Sequence, residues 1–393
     1  MSGPLLPGAL WQGQPVTLGV MGGGQLGRML VHAAQAMGYY TAVLDPDPAS
    51  PAGLVSHHHI RCDYLDQDGL AQLMQRCAAI TTEFENVPAP ALFTLGAQRV
   101  VAPGADAVAI AQDRAAEKAH FVRCGVPVAP HAVIEQAADL QAVPASLLPG
   151  ILKTARLGYD GKGQITVQTP QELAAAWASL GQVPCVLEQR LPLQAECSVI
   201  VARSAQGQMV HFAPQRNLHR QGILAVTEAW DGVLPAALAE QAVQATRAIA
   251  EGLGYVGVLC VEFFILAGGQ LVVNEMAPRP HNSGHHTLDA CDQSQFDLQV
   301  RTLMGLPLTM PRQHSAAVML NLLGDLWQDD QGQARIPDWA AVLALPGAHL
   351  HLYAKLSARP GRKMGHLTLT APTPELARER ALAAAAILGI APF

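Results

Sequence analysis

The stretch CVEFFILAGGQLVVNEM, residues 260–276, sets two runs of β-branched and aromatic residues on either side of Gly268-Gly269. Such runs read as an antiparallel hairpin closed by a two-residue glycine turn. That turn pairs Ala267 with Gln270, and counting back puts Glu262 directly opposite Glu275 on one face. Two carboxylates about 5 Å apart repel by roughly 3 kcal/mol at an effective dielectric near ~20. Protonation of one, an intervening Arg or Lys, or a divalent metal between them relieves the repulsion. Two carboxylates and substrate phosphates are the usual shell of magnesium, whereas two solvated strand acids need no ligand.

Outward from this hairpin, the chain continues as Met-Ala-Pro-Arg279-Pro-His281-Asn282-Ser283-Gly284-His285-His286. A Pro-bounded loop with these donors beside a metal site has the chemistry of an oxyanion-binding surface. A zinc reading of its histidines lacks the usual spacing. Upstream lies Gly158-Tyr159-Asp160-Gly161-Lys162-Gly163-Gln164, with Lys153 on the preceding apolar run ILKTA. Many accessible amides and a nearby lysine suit a flexible lid over a triphosphate, or simply a glycine-rich hairpin turn. Downstream, Lys355, Arg359, Arg362 and Lys363 put four cations in nine residues. They suit a phosphate monoester, or a solvated basic turn.

The N-terminal part follows a different pattern. TLGVMG (17–22), a helical run from Gly23 to Gly38 and YYTAVLD (39–45) form a strand–loop–helix–strand unit, which implies a parallel sheet. Further runs at 67–77, 78–84 and 99–103 continue it. The loop Gly22-Gly23-Gly24-Gln25-Leu26-Gly27 fits G-x-G-x-x-G, and Asp45 ends the second strand where a dinucleotide fold carries its ribose-binding acid. NAD, a substrate phosphate or ribose, and plain strand–helix packing are all open for this loop. His57-His58-His59 reads as surface or packing histidine. The units expected are a loose arm over 1–15, a first domain over 16–110, a central domain over 111–190 and a C-terminal domain over 191–393.

The chain has 393 residues, half of them hydrophobic and 14% charged, which fits two or three packed units. A net charge of −6 without a Lys/Arg block argues against nucleic acid as a partner. No apolar run reaches the roughly 18 residues of a membrane span, and the N-terminus lacks a signal-peptide pattern, so the cytoplasm is expected. The seven cysteines have no C-x-x-C spacing and read as reduced thiols.

The motifs GGGQLGRML, TTEFENVP (81–88), GYDGKGQ, NLHRQGI (217–223), VEFF, NEMAPRPHNSGH (274–285) and GRKMGH (361–366), in this order, resemble the ATP-grasp superfamily. Within it the chain is most similar to the N5-carboxyaminoimidazole ribonucleotide synthases of purine biosynthesis. The resemblance implies an α/β ATP-grasp fold with an N-terminal Rossmann-like parallel-sheet domain, a small lid domain and a C-terminal α+β domain. It implies an ATP- and Mg2+-dependent ligase that joins bicarbonate to 5-aminoimidazole ribonucleotide through carboxyphosphate, and a homodimer.

On that resemblance Arg114, Lys153, Gly158 to Gln164, Glu188, Gln189, Glu196, His219, Asn274 and Glu275 would surround ATP, and Glu262 and Glu275 would bind magnesium. Arg279, His281, Asn282 and Ser283 would hold bicarbonate and then carboxyphosphate, with Lys355 completing the catalytic set. Glu83, Tyr159, Asp160, Lys162, Arg279, Lys355 and Arg362 would contact the ribonucleotide, with Gly24, Gln25 and Leu26 lining its pocket. The competing readings are a formate-dependent glycinamide ribonucleotide transformylase of the same superfamily, an NAD-binding oxidoreductase and a non-catalytic nucleotide sensor.

Overall fold

A computed structural model describes residues 3–158, 163–329 and 331–393. The first sheet is built from β1 (Thr17–Met21), β2 (Tyr40–Leu44), β3 (His58–Ile60), β4 (Ala79–Thr82) and β5 (Val100–Val101), all parallel, in the order β3-β2-β1-β4-β5. Strands β1, β2 and β4 are buried almost throughout because helices cover both faces of a parallel sheet. Helix α1 (Gln25–Ala36) begins at the glycine loop and buries Leu26, Met29, Leu30, Val31, Ala33 and Ala34, the 3.6-residue repeat of one face.

The second sheet is four-stranded and antiparallel: β6 (His131–Ile134), β7 (Gly150–Thr154), β8 (Gln164–Val167) and β9 (Cys185–Gln189), ordered β8-β7-β9-β6. The third has nine strands: β10 (Leu193–Arg203), β11 (Met209–His211), β12 (Gln215–Arg220), β13 (Ile223–Ala229), β14 (Gly257–Leu266), β15 (Leu271–Ala277), β16 (Ala316–Leu323), β17 (Ala348–Leu352) and β18 (Lys363–Ala371). Its order is β15-β14-β10-β12-β13-β16-β18-β17, with β11 beside β10. Helix α2 (Arg114–Arg123) links the first sheet to the others.

Two elements set where the first sheet meets the third. Helix α3 (Gln295–Met304) starts in a capping box, with Ser294 Oγ accepting from the Asp297 amide and Asp297 Oδ2 accepting from the Ser294 amide, and stops at Gly305 with φ +69°. Its Phe296, Val300, Leu303 and Met304 share one core with Leu30, Val31 and Ala34 of α1. Full burial of each large side chain stabilises the contact by roughly 1.5–3 kcal/mol. The glycine loop and the Arg279–His286 loop are thereby held on facing elements.

Residues 3–15 depart from the loose arm expected of them. Leu10 pairs with Pro15 in a short hairpin, the Leu5 amide donates to the Met304 carbonyl at 2.9 Å, and the Tyr39 hydroxyl donates to the Leu5 carbonyl at 2.6 Å. Arg99 stacks over Trp11 at 4.9 Å. Gly and Pro content suggests looseness, but partners distant in sequence decide the outcome. No helix among the described residues is long and apolar enough to cross a membrane.

Candidate active site

The β14–β15 hairpin closes through a three-residue loop, not a two-residue turn. The Leu266 amide donates to the Gln270 carbonyl at 2.9 Å, the Gly269 amide donates to Leu266 at 2.8 Å, and Gly269 has φ +76°. This shifts the neighbouring pairs by one residue, so Phe263 faces Val273. Asn274 is then bulged out of the ladder and the register returns, leaving Glu262 opposite Glu275. Burial and then the facing Glu275 push the Glu262 carboxyl up to about 7. Arg114 Nη1 lies 3.2 Å from Glu275 Oε2, and His281 Nε2 lies 3.1 Å from Glu262 Oε1.

Helix α2 is capped by Asp113, whose Oδ1 accepts from the Ala115 and Ala116 amides. Arg114, Glu117 and Lys118, three and four residues apart, share one face of it. Glu117 accepts from the Met276 amide at 2.7 Å and so ties α2 to β15; burial and Glu275 push its carboxyl up to about 8. Lys118 Nζ and Lys153 Nζ bracket Glu188 at 3.1 and 3.0 Å. Burial alone raises the Glu188 carboxyl, but the two lysines outweigh it and hold it down at about 2. Two buried ammonium groups against one carboxylate leave an excess positive charge beside the cleft, the electrostatics a polyphosphate needs.

Three amides of the glycine loop are already bonded by side chains of the protein itself. The Gly23 amide donates to Asp45 Oδ2 at 2.7 Å, and the Gly24 and Gly27 amides donate to Glu83 Oε1 and Oε2 at 3.0 and 3.1 Å. Tyr64 also donates to Asp45. Amides that cradle a pyrophosphate in a dinucleotide fold are here bonded to two buried carboxylates, and the NAD reading loses its anion site. Next to this cap, Glu85 pairs with Arg279. In the basic turn, Lys355 Nζ donates to the Lys363 carbonyl at 2.6 Å, and Arg362 Nη1 donates to Ser357 O and Oγ at 2.8 and 2.9 Å.

These elements enclose a cleft of about 430 Å³ between the three sheets. Asn274 Oδ1 and both amide atoms of Asn282 are buried there without a hydrogen-bond partner among the described residues. With the facing carboxylates and the excess lysine, these unpaired atoms fit a nucleotide triphosphate and a divalent cation.

The comparisons with known proteins agree with this geometry. Residues 16–112 match the ribonucleotide synthetase preATP-grasp domain, 119–296 the ATP-grasp domain, and 317–380 the phosphoribosylaminoimidazole carboxylase C-terminal domain. The N5-carboxyaminoimidazole ribonucleotide synthase of Brucella melitensis is 42% identical over 363 residues, 91% of this chain and 96% of that protein. The chain belongs to the N5-carboxyaminoimidazole ribonucleotide synthase family. A solved ADP complex of an N5-carboxyaminoimidazole ribonucleotide synthetase superposes with a TM-score of 0.88 at 35% identity, covering 99% of each chain. The Aspergillus clavatus synthase in complex with ADP and 5-aminoimidazole ribonucleotide gives 0.85 at 29% identity, over 95% of this chain and 99% of that one.

Of the residues singled out in the sequence, Arg114, Lys153, Gly158, Gln164, Glu196, His219, Glu262, Asn274, Glu275, Arg279, His281 and Asn282 line this one cleft. His219 Nδ1 lies 2.6 Å from Glu196 Oε2, which raises the imidazole against the lowering effect of burial. Glu188 sits behind Lys153, and Gln189 turns away to donate to the Ser146 carbonyl. Ser283 is fully buried behind His281. Gly163 directly precedes β8, and its carbonyl accepts from the Thr154 amide at 2.9 Å. Gln25 and Leu26 open α1, and Leu26 packs in its core. Lys355 and Arg362 lie outside the cleft lining. Tyr159, Asp160, Gly161 and Lys162 fall outside the described residues.

Glu85, Glu117 and Lys118 go unremarked in the sequence, and Lys363 is counted there only among the four cations of the basic turn. Glu85 and Lys363 sit in motifs quoted for the family, beside residues that were chosen. Glu117 and Lys118 carry one signal, the Asp113 cap that opens a helix with three charges on one face, but a solvated face has the same pattern.

Proposed function

We propose that the protein carboxylates the exocyclic amine of 5-aminoimidazole ribonucleotide with bicarbonate at the expense of ATP. The products are N5-carboxyaminoimidazole ribonucleotide, ADP and phosphate. The observation that carries the reading is one cleft in which the facing pair Glu262/Glu275 adjoins both the Lys153–Glu188–Lys118 cluster and the Arg279–Asn282 loop. Membership of the synthase family supplies the substrate class, and the Aspergillus relative holds ADP and the ribonucleotide together.

On this reading Arg114, Lys153, Glu196, His219, Asn274 and the 158–164 loop hold ATP, with Glu188 and Gln189 supporting them. Glu262 and Glu275 hold magnesium, which when bound offsets the charge of the carboxylates and phosphate oxygens. Arg279, His281 and Asn282 orient bicarbonate so that its oxygen attacks the γ-phosphorus and ADP departs. The amine of the ribonucleotide then attacks the carboxyl carbon of carboxyphosphate, and phosphate leaves. Lys355 and Arg362 bind the ribonucleotide phosphate, Glu83 and the Gly24–Leu26 segment its remainder. Closing the three units, 16–110, 111–190 and 191–393, around the cleft excludes water from an intermediate that water destroys. The family resemblance also supports a homodimer acting in the cytoplasm.

The test is phosphate release from ATP with bicarbonate, with and without the ribonucleotide. Release that requires bicarbonate, and a product that is N5-carboxylated, support the reading. Release driven by formate and glycinamide ribonucleotide instead overturns it.

A further inference from the structure

Three side chains from three elements converge outside the cleft lining: Asp289 on the short helix Thr287–Ala290, His351 on β17 and His366 on β18. One donor atom from each lies within 4.8 Å of the other two. His351 and His366 are directly opposed cross-strand partners, near enough for both rings to reach one point. His351 Nε2 lies 2.9 Å from Asp289 Oδ2. His349, two residues earlier on the same face of β17, puts Nδ1 3.6 Å from Asp289 Oδ1.

His366 supplies the second observation. Its side chain is wholly buried, and its Nε2 has no hydrogen-bond partner among the described residues. Its Nδ1 lies 2.8 Å from the Tyr353 hydroxyl, so Nε2 is the nitrogen left for a ligand. The facing residue on β16, Asn321, has its Nδ2 committed to the Leu224 carbonyl at 2.5 Å. A buried nitrogen without a partner is costly unless something pairs with it. Burial, and then the imidazoles of His285, His351 and His286, hold His366 well below its ordinary 6.5. The ring is therefore neutral near pH 7 and keeps a lone pair. A metal-bound histidine commonly donates its other N–H to a fixed oxygen, the place Tyr353 occupies here.

We propose that Asp289, His351 and His366 form a binding site for a zinc-class divalent cation, with His349 or water as the fourth ligand. Two imidazoles and one carboxylate suit Zn2+ and its transition-metal neighbours, whereas Mg2+ takes oxygen ligands. The His351 and His366 rings now stack at 4.5 Å with 12° between their planes. Closing on an ion at roughly 2.0–2.1 Å replaces the proton between His351 and Asp289 and swings the partly exposed His351 ring out of the stack. The ion ties the helix that follows the Arg279–His286 loop to the β17–β18 pair. The site stands apart from the facing glutamates and does not rest on the carboxylation reading.

The test is a zinc titration of the full-length protein, reduced and stripped of metal, with excess magnesium present, read by calorimetry and by thermal melts. Wild type is expected to bind one equivalent that raises Tm. His351→Ala and Asp289→Asn should each lose that equivalent or weaken it at least about tenfold, and Tyr353→Phe should weaken it about tenfold. Glu275→Gln should keep it. Cobalt in place of zinc should give a visible spectrum without a thiolate charge-transfer band, which separates the site from the seven cysteines. Should His351→Ala fail to fold, Asp289→Asn decides. An equivalent kept in the folded ligand variants, or one that carries the thiolate band, means an adventitious ion only and overturns the proposal. Loss of the equivalent in Glu275→Gln, or a wild type that takes up no zinc, overturns it as well.

Discussion

Glu262 and Glu275 are cross-strand partners because two departures from a regular hairpin cancel: the loop at Ala267–Gly269 is one residue longer than its glycines suggest, and Asn274 bulges to restore the register. The pair costs stability when nothing lies between its members. Glu262 titrates at about 7 in the fold, above its ordinary 4.5. A raised carboxyl makes the folded state bind the proton more tightly than the unfolded state, so stability falls as pH rises from about 4.5 through 7. In metal-free buffer at pH 8, Glu262→Gln should therefore be more stable than wild type by on the order of 2 kcal/mol, with the gain vanishing near pH 4.5. The same substitution should lower turnover at least about a hundredfold, and Glu275→Gln should abolish it. Urea denaturation at the two pH values and steady-state assays check both halves. Near-normal activity of both variants at limiting magnesium would remove the pair from the metal site.

The Lys118–Glu188–Lys153 cluster has the opposite pH sign. Glu188 titrates at about 2, so its contribution is present above the unfolded value near 4.5 and disappears as pH falls toward 2. Glu188→Gln leaves two buried ammonium groups without their counter-ion. It should cost about 3–5 kcal/mol at pH 7 and much less at pH 3, read as the shift in urea midpoint at constant slope. An equal loss at both pH values would mean that shape, not charge, holds the cluster.

Much of the fold is legible because it is written in periodicity. The α1 repeat, the largely apolar strands β1 and β2, and the terminal helix Pro374–Leu388 with its left-handed Gly389 all follow from local residue choice. The facing glutamates are legible for a weaker reason. The sequence reading reaches the right pair through a turn that does not form, and Asn274 gives no sign of its bulge. Helix α2 is missed because its inward charges satisfy one another across long sequence separations, Glu117 with Met276 and Lys118 with Glu188. The glycine loop illustrates the same limit. Its spacing fits a dinucleotide site, and only the fold shows Glu83 and Asp45 bonded to its amides.

The bonds from Glu83 to this loop give a further prediction. A Cβ on Gly24 would lie 2.6 Å from Glu83 Oε1, so Gly24→Ala must push the carboxylate off the start of α1. Losing a cap of this kind costs about 1 kcal/mol. Glu83→Gln keeps one acceptor oxygen and should cost less than Gly24→Ala. If Glu83 also contacts the ribonucleotide, both variants should raise its KM and spare that of ATP. Thermal melts and paired KM values test this, and an ATP-specific defect in either variant would contradict it.

Arg362 and Lys363 are neighbours at the start of β18, where successive side chains point to opposite faces. Lys363 lines the cleft, whereas Arg362 reaches out to Ser357. The two cations should therefore serve different anions. The Arg362 fork matches a phosphate monoester, and losing one charge-assisted contact of this kind costs roughly 1.5–3 kcal/mol, about ten- to a hundredfold in affinity. Arg362→Ala should raise the apparent KM for the ribonucleotide by that factor and leave the KM for ATP nearly unchanged, and the nucleoside lacking phosphate should lose little further. Lys363→Ala should instead depress kcat and raise the KM for bicarbonate, since its charge acts on Glu85, Glu262 and His281 around the anion loop. Separate titrations of ATP, bicarbonate and ribonucleotide for each variant resolve the assignment. A rise in the ATP KM for Arg362→Ala with the ribonucleotide spared would reverse the two phosphate sites.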